Sequence, residues 1–112
     1  WLNASDVFAM TSAHVGGDFE GFGIAVIEAA LCGKPAIITN QSGLSESIIE
    51  GETGLGAAEK NPSEISEKLI RILNDSLLLQ SMGRKAKARA EKDFSWKNVA
   101  ARYDSEFEQL LN

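Results

Sequence analysis

The apolar residues of this chain fall into short continuous runs in its first half and into helical spacing in its second half. The runs "DVFAM" (6–10) and "PAIIT" (35–39) have strand length and no helical period, and "IAVIEAALC" (24–32) between them has helix length. Gly33 with Pro35 shortly after it is typical of a helix end. This order of strand, helix and strand with short connections predicts a parallel α/β unit.

From Asn61 onward the pattern predicts only helices. Asn61 is placed as the N-cap, with Pro62 at the first helical position and Glu64 three residues past the cap. The apolar face of this first helix is formed by Ile65, Leu69, Ile72 and Leu73. A second helix is predicted over 77–91, and a third begins at Ser95. The apolar stripe of the third helix is formed by Val99, Tyr103, Phe107 and Leu110, with Phe94 and Val99 as a hydrophobic staple.

Between the two halves the sequence predicts a turn at "NQSG" (40–43), a short helix over 45–50 and one short strand near Leu55. We find no internal repeat and no low-complexity linker. The prediction is therefore a single partial domain over 1–112, with an α/β unit at 1–60 and a helical tail at 61–112.

The loop "TSAHVGGDFEGFG" (11–23) and the helix after it are the candidate site. In parallel α/β sheets ligands bind beyond the carboxyl ends of the strands, and this loop follows the first one. Its four glycines let the backbone approach a ligand closely. The helix that follows begins with unpaired N–H groups and a partial positive charge, which favour an anion such as a phosphate.

Glu28 is the one charged residue in the apolar helix 24–32. Such a helix should be buried on most of its surface, where an unpaired carboxylate would cost several kcal/mol. Glu28 therefore lies either at the one exposed edge or at a site whose groups donate hydrogen bonds to it. A ribose diol is one such partner, and the residues alone leave both readings open.

Two nucleotide-binding motifs are incomplete in this chain. Gly21 and Gly23 begin a dinucleotide fingerprint, but Val26 occupies the place of the third glycine. The string "CGKP" (32–35) has Pro where a P-loop needs Ser or Thr. A nicotinamide-dependent dehydrogenase and a nucleoside triphosphatase are both disfavoured.

Composition and charge narrow the class of protein further. The 112 residues carry 11 basic and 16 acidic side chains, a net charge of −5, which is unlike the basic footprint of a nucleic-acid binder. The run "RKAKARAEK" (84–92) is interpreted as a solvated helix face. Cys32 is the only cysteine and is expected to be a small buried hydrophobe, and His14 is expected to be an exposed loop residue. With no apolar run of about 18 residues, a cytoplasmic protein is expected.

The string "EGFGIAVIEAALCGKPAIITNQSGLSESIIEGETGL", preceded by "SDVFAMTS", resembles the C-terminal half of retaining, nucleotide-sugar-dependent glycosyltransferases of family 4, which have the GT-B fold. The E-x7-E motif of that family is met by Glu20 and Glu28. The similarity continues to "FSW" (94–96) and so covers nearly the whole chain. It implies a fold class of α/β with a partial Rossmann-like parallel sheet flanked by helices, as a GT-B C-terminal domain fragment with a helical tail.

The resemblance also implies roles for single residues. Glu28 would bind the ribose hydroxyls of the nucleotide, and Glu20, the catalytic candidate, would hold a donor-sugar hydroxyl near the anomeric carbon. Donor contacts are implied for Gly21, Phe22, Gly23, Ile24 and Ala25, mainly through their backbone N–H groups. The family generally needs no metal or other cofactor, and we find no Asp-x-Asp or His cluster.

The expected partners follow from the same resemblance: a nucleotide-sugar donor, a saccharide, lipid or other acceptor, and no nucleic acid. The family's basic pair for the diphosphate and its acceptor site lie upstream of Trp1, so an N-terminal domain is expected to be missing and the fragment inactive alone. Its exposed final helix could drive self-association. A lipid acceptor would allow peripheral membrane attachment.

The chain departs from the family pattern in two places. Thr11 stands where the family often has Pro, and the loop around "AHVGGDF" (13–19) is longer than the common version. The alternatives to a glycosyltransferase are a GT-B nucleotide-sugar epimerase or phosphorylase, and a non-catalytic nucleotide-binding or interaction domain. The E-x7-E string argues against the first pair, and an upstream α/β half with a basic pair would argue against the last.

Overall fold

A three-stranded parallel sheet forms the centre of the computed structural model, which describes residues 1–17, 21–41 and 43–112. The strands are β1 (Phe8–Met10), β2 (Ala36–Thr39) and β3 (Gly54–Ala57), and β2 lies between the other two. In register, Ala36 pairs with Phe8 on one side and with Gly54 on the other. The predicted α/β class with a parallel sheet is therefore confirmed.

In the described part of the chain, four α-helices surround or follow the sheet: α1 (Ile24–Leu31), α2 (Pro62–Leu73), α3 (Ser76–Asp93) and α4 (Trp96–Leu111). The predicted N-caps are present. Asn61 Oδ1 accepts a hydrogen bond from the N–H of Glu64 at 3.1 Å, and Ser95 Oγ accepts one from the N–H of Asn98 at 3.2 Å. Gly33, just after α1, has the predicted left-handed backbone with φ of 72°.

The helices cover both faces of the sheet. On one face Val26 of α1 packs with Ala36 and Ile38 of β2. On the other face Ile72 of α2 and Met82 of α3 pack against β2 and β3. The second half of α3 reaches α1, where its small residues form an interface whose buried members are Ile27, Ala30, Ala86 and Ala90. The helices α2 and α3 therefore share one core with the α/β unit.

The close approach of α3 requires a glycine. A Cβ at Gly83 would lie 2.3 Å from the carbonyl oxygen of Gly33, at the end of α1. Because that oxygen belongs to the backbone, a larger residue would push the two helices apart.

Three sequence predictions need correction. The helix predicted over 45–50 is a single 3₁₀ turn, Leu44–Ser47. Leu73 was placed on the apolar face of α2, but it is 52% exposed, since it is the last residue of the helix and turns away from the sheet that covers Ile72. Cys32 is half-buried rather than buried.

The helix α1 is also less buried than its composition suggests. Val26, Ala29 and Ala30 are buried, but Ile24 is 71% exposed and Leu31 is 44% exposed. The sheet and α3 cover only one side of α1, so its opposite side remains accessible. Within the described ranges no helix is both long and apolar enough to cross a membrane.

Candidate functional site

The loop after β1 is fastened to the end of β2 by a single carbonyl group. The carbonyl oxygen of Ser12 accepts hydrogen bonds from Thr39 Oγ1 and from Gln41 Nε2, the latter at 2.6 Å. Both donating side chains are buried. The start of the loop is therefore fixed at the carboxyl edge of the sheet.

A second contact joins the same loop to the segment after β3. The backbone N–H of His14 donates to Glu59 Oε2 at 2.9 Å, and His14 Nδ1 lies 2.5 Å from Glu59 Oε1. The hydrogen bond from the His14 backbone, followed by that from its side chain, lowers the pKa of the Glu59 carboxyl. His14 is exposed, as predicted, but its partner 45 residues away was not predicted.

The N-terminus of α1 follows this loop and begins at Gly23. Gly23 has φ of 81°, and a Cβ there would lie 2.5 Å from Leu44 Cδ1, so both backbone and packing require glycine. Gly23 has no side chain to cap the helix, and the first turn contains no acidic residue. Among the described residues, the first N–H groups of α1 therefore have no side-chain cap, which is the arrangement that binds anions in other proteins.

Glu28 lies on the exposed side of α1 rather than in the core, where a ligand could reach its carboxylate. In the part of the chain that the structure describes, its carboxylate has no hydrogen-bond or ion-pair partner. It borders a groove of about 360 Å³ between α1 and the start of α4. The groove is lined by Phe22, Ile24, Ile27, Glu28, Leu31, Phe94, Trp96 and Val99. A single carboxylate thus stands beside an apolar surface, one to two turns from the helix N-terminus.

The other predicted site residues fall as follows. Gly21 and Ile24 are exposed, Ala25 is half-buried, and Phe22 is half-buried with its ring 5.3 Å from that of Phe94. Glu20, the catalytic candidate, lies outside the described residues. The structure brings Gly21 to Ala25 together with Glu28 on one helix, and their roles stay predictions.

Arg89 is a residue whose position the sequence analysis missed. Its Nη2 donates to the carbonyl oxygen of Glu46 at 2.8 Å, and its guanidinium lies 4.9 Å from the centre of the Phe94 ring. It was assigned to the solvated face of 84–92, yet its side chain is only 18% exposed. The spacing of Ala86 and Ala90 around it, four residues apart, was the signal that this side of the helix is packed. Arg89 ties α3 to the 3₁₀ turn that packs on Gly23.

Among residues 1–17, 21–41 and 43–112, no group of three or more His, Cys, Asp or Glu side chains could hold a metal ion.

Comparison with known sequences identifies relatives. Residues 1–89 match the family model "Glycosyl transferases group 1". The chain is 36% identical over 101 residues to a D-inositol 3-phosphate glycosyltransferase of Paenarthrobacter aurescens, covering 90% of this chain and 23% of that protein. It is also 36% identical over 103 residues to a GDP-mannose-dependent monoacylated alpha-(1-6)-phosphatidylinositol monomannoside mannosyltransferase of Corynebacterium glutamicum, covering 90% and 27%. The chain spans about a quarter of the length of the curated relatives it matches.

Solved structures with the same fold include a sucrose-phosphate synthase from Thermosynechococcus elongatus, with a TM-score of 0.85 and 28% identity over 98% of this chain and 26% of that chain. Another is Anabaena HepE in complex with UDP-glucose, with a TM-score of 0.84 and 23% identity over 96% of this chain and 29% of that chain. The second likeness concerns the fold alone. The predicted relation to GT-B glycosyltransferases is confirmed at the level of fold.

Proposed function

Because this chain belongs to the group 1 glycosyltransferases, we propose that it supplies part of the donor site of an enzyme that transfers a glycosyl group from a nucleotide sugar. The observation that carries this proposal is the position of Glu28. It is an exposed carboxylate that no described residue binds, and it lies on α1, the helix whose N-cap residue has no side chain.

The N-terminus of α1 is proposed to hold the diphosphate of the donor. The N–H groups of Phe22, Gly23, Ile24 and Ala25 would donate to its oxygens or to sugar hydroxyls. The aligned peptide dipoles favour negative charge at this end. They would stabilise the charge that grows on the nucleoside diphosphate as it departs. The first turn of the helix itself carries no acidic residue that would oppose this field.

Glu28 is proposed to bind the ribose. Two adjacent hydroxyls can each donate to one oxygen of an ionised carboxylate, and such charge-assisted bonds are stronger than neutral ones. The carboxylate of Glu28 has both oxygens available for this contact.

The finer chemistry rests on the resemblance to family 4. We propose that transfer retains the anomeric configuration, passes through an oxocarbenium-like state, and needs no metal. Glu20 would hold a hydroxyl of the donor sugar near the anomeric carbon. This chain would be part of the C-terminal half of the enzyme, and an N-terminal domain would bind a saccharide, lipid or other acceptor. The name of the Corynebacterium relative, which specifies GDP-mannose, supports a nucleotide-sugar donor.

The test is isothermal titration of the chain with UDP, GDP and ADP, and then with the 2′-deoxy form of the nucleotide that binds. We expect Glu28→Ala to weaken binding at least about tenfold. Loss of the 2′-hydroxyl removes one of the two proposed hydrogen bonds to Glu28, so it should weaken binding to the unmodified chain by a smaller factor. It should weaken binding to Glu28→Ala very little, because the acceptor is already gone.

The matched control is Glu67→Ala, which removes an exposed carboxylate of α2, a helix that contributes no residue to the groove lining. It should bind as the unmodified chain does. The proposal fails if no nucleotide binds, if the control loses as much affinity as Glu28→Ala, or if the deoxy penalty is unchanged in the variant.

A further inference from the structure

Three buried side chains that follow one another along the chain contact both ends of the loop between β1 and α1. Thr39 is the last residue of β2, Gln41 follows it, and Leu44 begins the 3₁₀ turn. Their exposed fractions are 1%, 2% and 0%. Because these side chains are buried within the chain, the contacts they make do not depend on what covers its outer surface.

The start of the loop is held by two hydrogen bonds to one atom. The carbonyl oxygen of Ser12 accepts from Thr39 Oγ1 and from Gln41 Nε2, the second at 2.6 Å. A carbonyl oxygen has two lone pairs, so two donors fix both its position and its direction. The backbone that follows Ser12 therefore leaves the edge of the sheet along a defined path.

The end of the loop is held by packing. Gly23, which precedes α1, lies so near Leu44 that a Cβ on this glycine would be 2.5 Å from Leu44 Cδ1. The 3₁₀ turn is itself attached to Gln41, because the N–H of Ser45 donates to the carbonyl oxygen of Gln41 at 2.9 Å. Gln41 therefore contacts the start of the loop with its side chain and supports the end of the loop with its main chain.

We propose that Thr39 and Gln41 are positioning residues of the donor site. By fixing the Ser12 carbonyl relative to Leu44, they set the separation of the two ends of the loop. That separation determines where the loop backbone lies relative to the first N–H groups of α1. The inference rests on the proposed function, in which these N–H groups hold the diphosphate. Both residues act through the Ser12 carbonyl rather than on the donor itself.

The two hydrogen bonds determine the size of the effect. One net hydrogen bond changes an equilibrium by roughly two- to tenfold. A ligand that binds only one position of a loop has an apparent affinity proportional to the fraction of molecules in that position. Removal of one donor should therefore weaken diphosphate binding modestly, and removal of both donors should weaken it much more, because the Ser12 carbonyl then has neither partner.

The first experiment is isothermal titration with whichever of UDP, GDP and ADP binds the unmodified chain. Thr39→Val keeps the β-branched shape and removes the hydroxyl, and Gln41→Met keeps an unbranched side chain and removes the amide. We expect each substitution to weaken binding about threefold and the double variant to weaken it at least about tenfold. Thr39→Ser retains the hydroxyl and should bind as the unmodified chain does.

The matched control separates positioning from loss of stability. Ile37 is a fully buried residue of the same strand, and it packs with Ile72 and Met82 rather than with the loop. Ile37→Val should lower the urea midpoint, because it leaves a small cavity in the core, and it should leave nucleotide affinity unchanged. All affinities are measured under conditions in which urea denaturation shows each variant to be folded.

The second experiment observes the loop without a ligand. The N–H of His14 lies two residues after Ser12 and donates to Glu59 Oε2 at 2.9 Å. Its hydrogen exchange, measured by NMR, therefore reports local opening at the start of the loop. Exchange of this N–H should accelerate at least about threefold in the double variant Thr39→Val/Gln41→Met, whereas Ile37→Val should leave it unchanged.

The outcomes distinguish this inference from the proposed function. Only the inference is overturned if Glu28→Ala weakens binding and the double variant does not, if Ile37→Val weakens binding as much as the double variant, or if exchange at His14 is unchanged. If the double variant weakens binding and Glu28→Ala does not, the ribose contact is wrong and the positioning role stands. If no nucleotide binds the unmodified chain, both proposals fail.

Discussion

At the scale of single residues, the start of α1 depends on Gly23 having no side chain. Gly23 lies where Leu44 of the 3₁₀ turn, Met10 of β1 and Val26 of α1 all approach within 3.5 Å of the position a Cβ would occupy. Its backbone is also left-handed. The packing of the fold therefore requires glycine at this position, whether or not a ligand approaches the backbone there. The two roles can be separated by measuring stability without any ligand.

The substitution Gly23→Ala should lower the free energy of unfolding by about 3 kcal/mol, from the clash with Leu44 and from the strained backbone. Gly21→Ala is the matched control. Among the described residues, no atom lies within 4 Å of a Cβ built at Gly21, so the effect of this substitution should stay within about 0.5 kcal/mol. Urea denaturation of both variants measures the difference, and equal effects would contradict the packing argument.

At the scale of elements, features that depend on neighbouring residues were predicted from the sequence better than contacts between distant residues. The cap at Asn61, the left-handed end at Gly33 and the start of α4 depend on neighbouring residues, and all were found from the sequence. Arg89 and the pair of His14 with Glu59 depend on contacts across more than 40 residues, which no local pattern contains. The exposure of α1 on one side was missed because composition does not say which side a neighbour covers.

Two carboxylates that accept hydrogen bonds from loop backbone are expected to make the free energy of unfolding sensitive to acid. Glu59 accepts from the backbone N–H of His14, and Glu64 accepts from that of Ala58, and both contacts lower the pKa of the carboxyl. A carboxyl whose pKa is lower in the folded state stabilises the fold above its unfolded pKa, and that contribution is lost as the pH falls through its folded pKa.

We therefore expect the free energy of unfolding to decline as the pH falls from about 5.5 to about 3, and to decline less in Glu59→Gln. The control Glu67→Gln removes an exposed carboxylate of α2 while both hydrogen bonds remain, so it should keep the steeper decline. Guanidinium denaturation at a series of pH values gives the slopes. A decline as steep in Glu59→Gln as in the unmodified chain would exclude this contact as a source of acid sensitivity.

At the scale of the whole molecule, three helices and the sheet form one body, while α4 extends beyond it. The buried clusters draw on β1 to β3 and on α1 to α3. By contrast, α4 has no buried residue. Because contact with the core supplies most of a helix's stability in a protein, the second half of α4 should contribute little to the fold.

A chain shortened after Ala100 should keep its cooperative unfolding and a Tm within about 5 °C of the full chain. The comparison is made by circular dichroism at low micromolar concentration. Met82→Ala serves as the comparison for a core residue, because the cavity left by this buried side chain should lower the Tm by more than about 10 °C. A comparable loss on shortening would mean that α4 belongs to the core.

The two hydrogen bonds that the Ser12 carbonyl oxygen accepts have an evolutionary consequence. That oxygen, with the backbone of His14, holds the entrance of the β1–α1 loop to both neighbouring segments, while Val15, Gly16 and Gly17 beyond it are exposed. Strand register and loop length are thereby uncoupled. Evolution could therefore lengthen or shorten the loop after His14 while the sheet beneath it keeps its alignment.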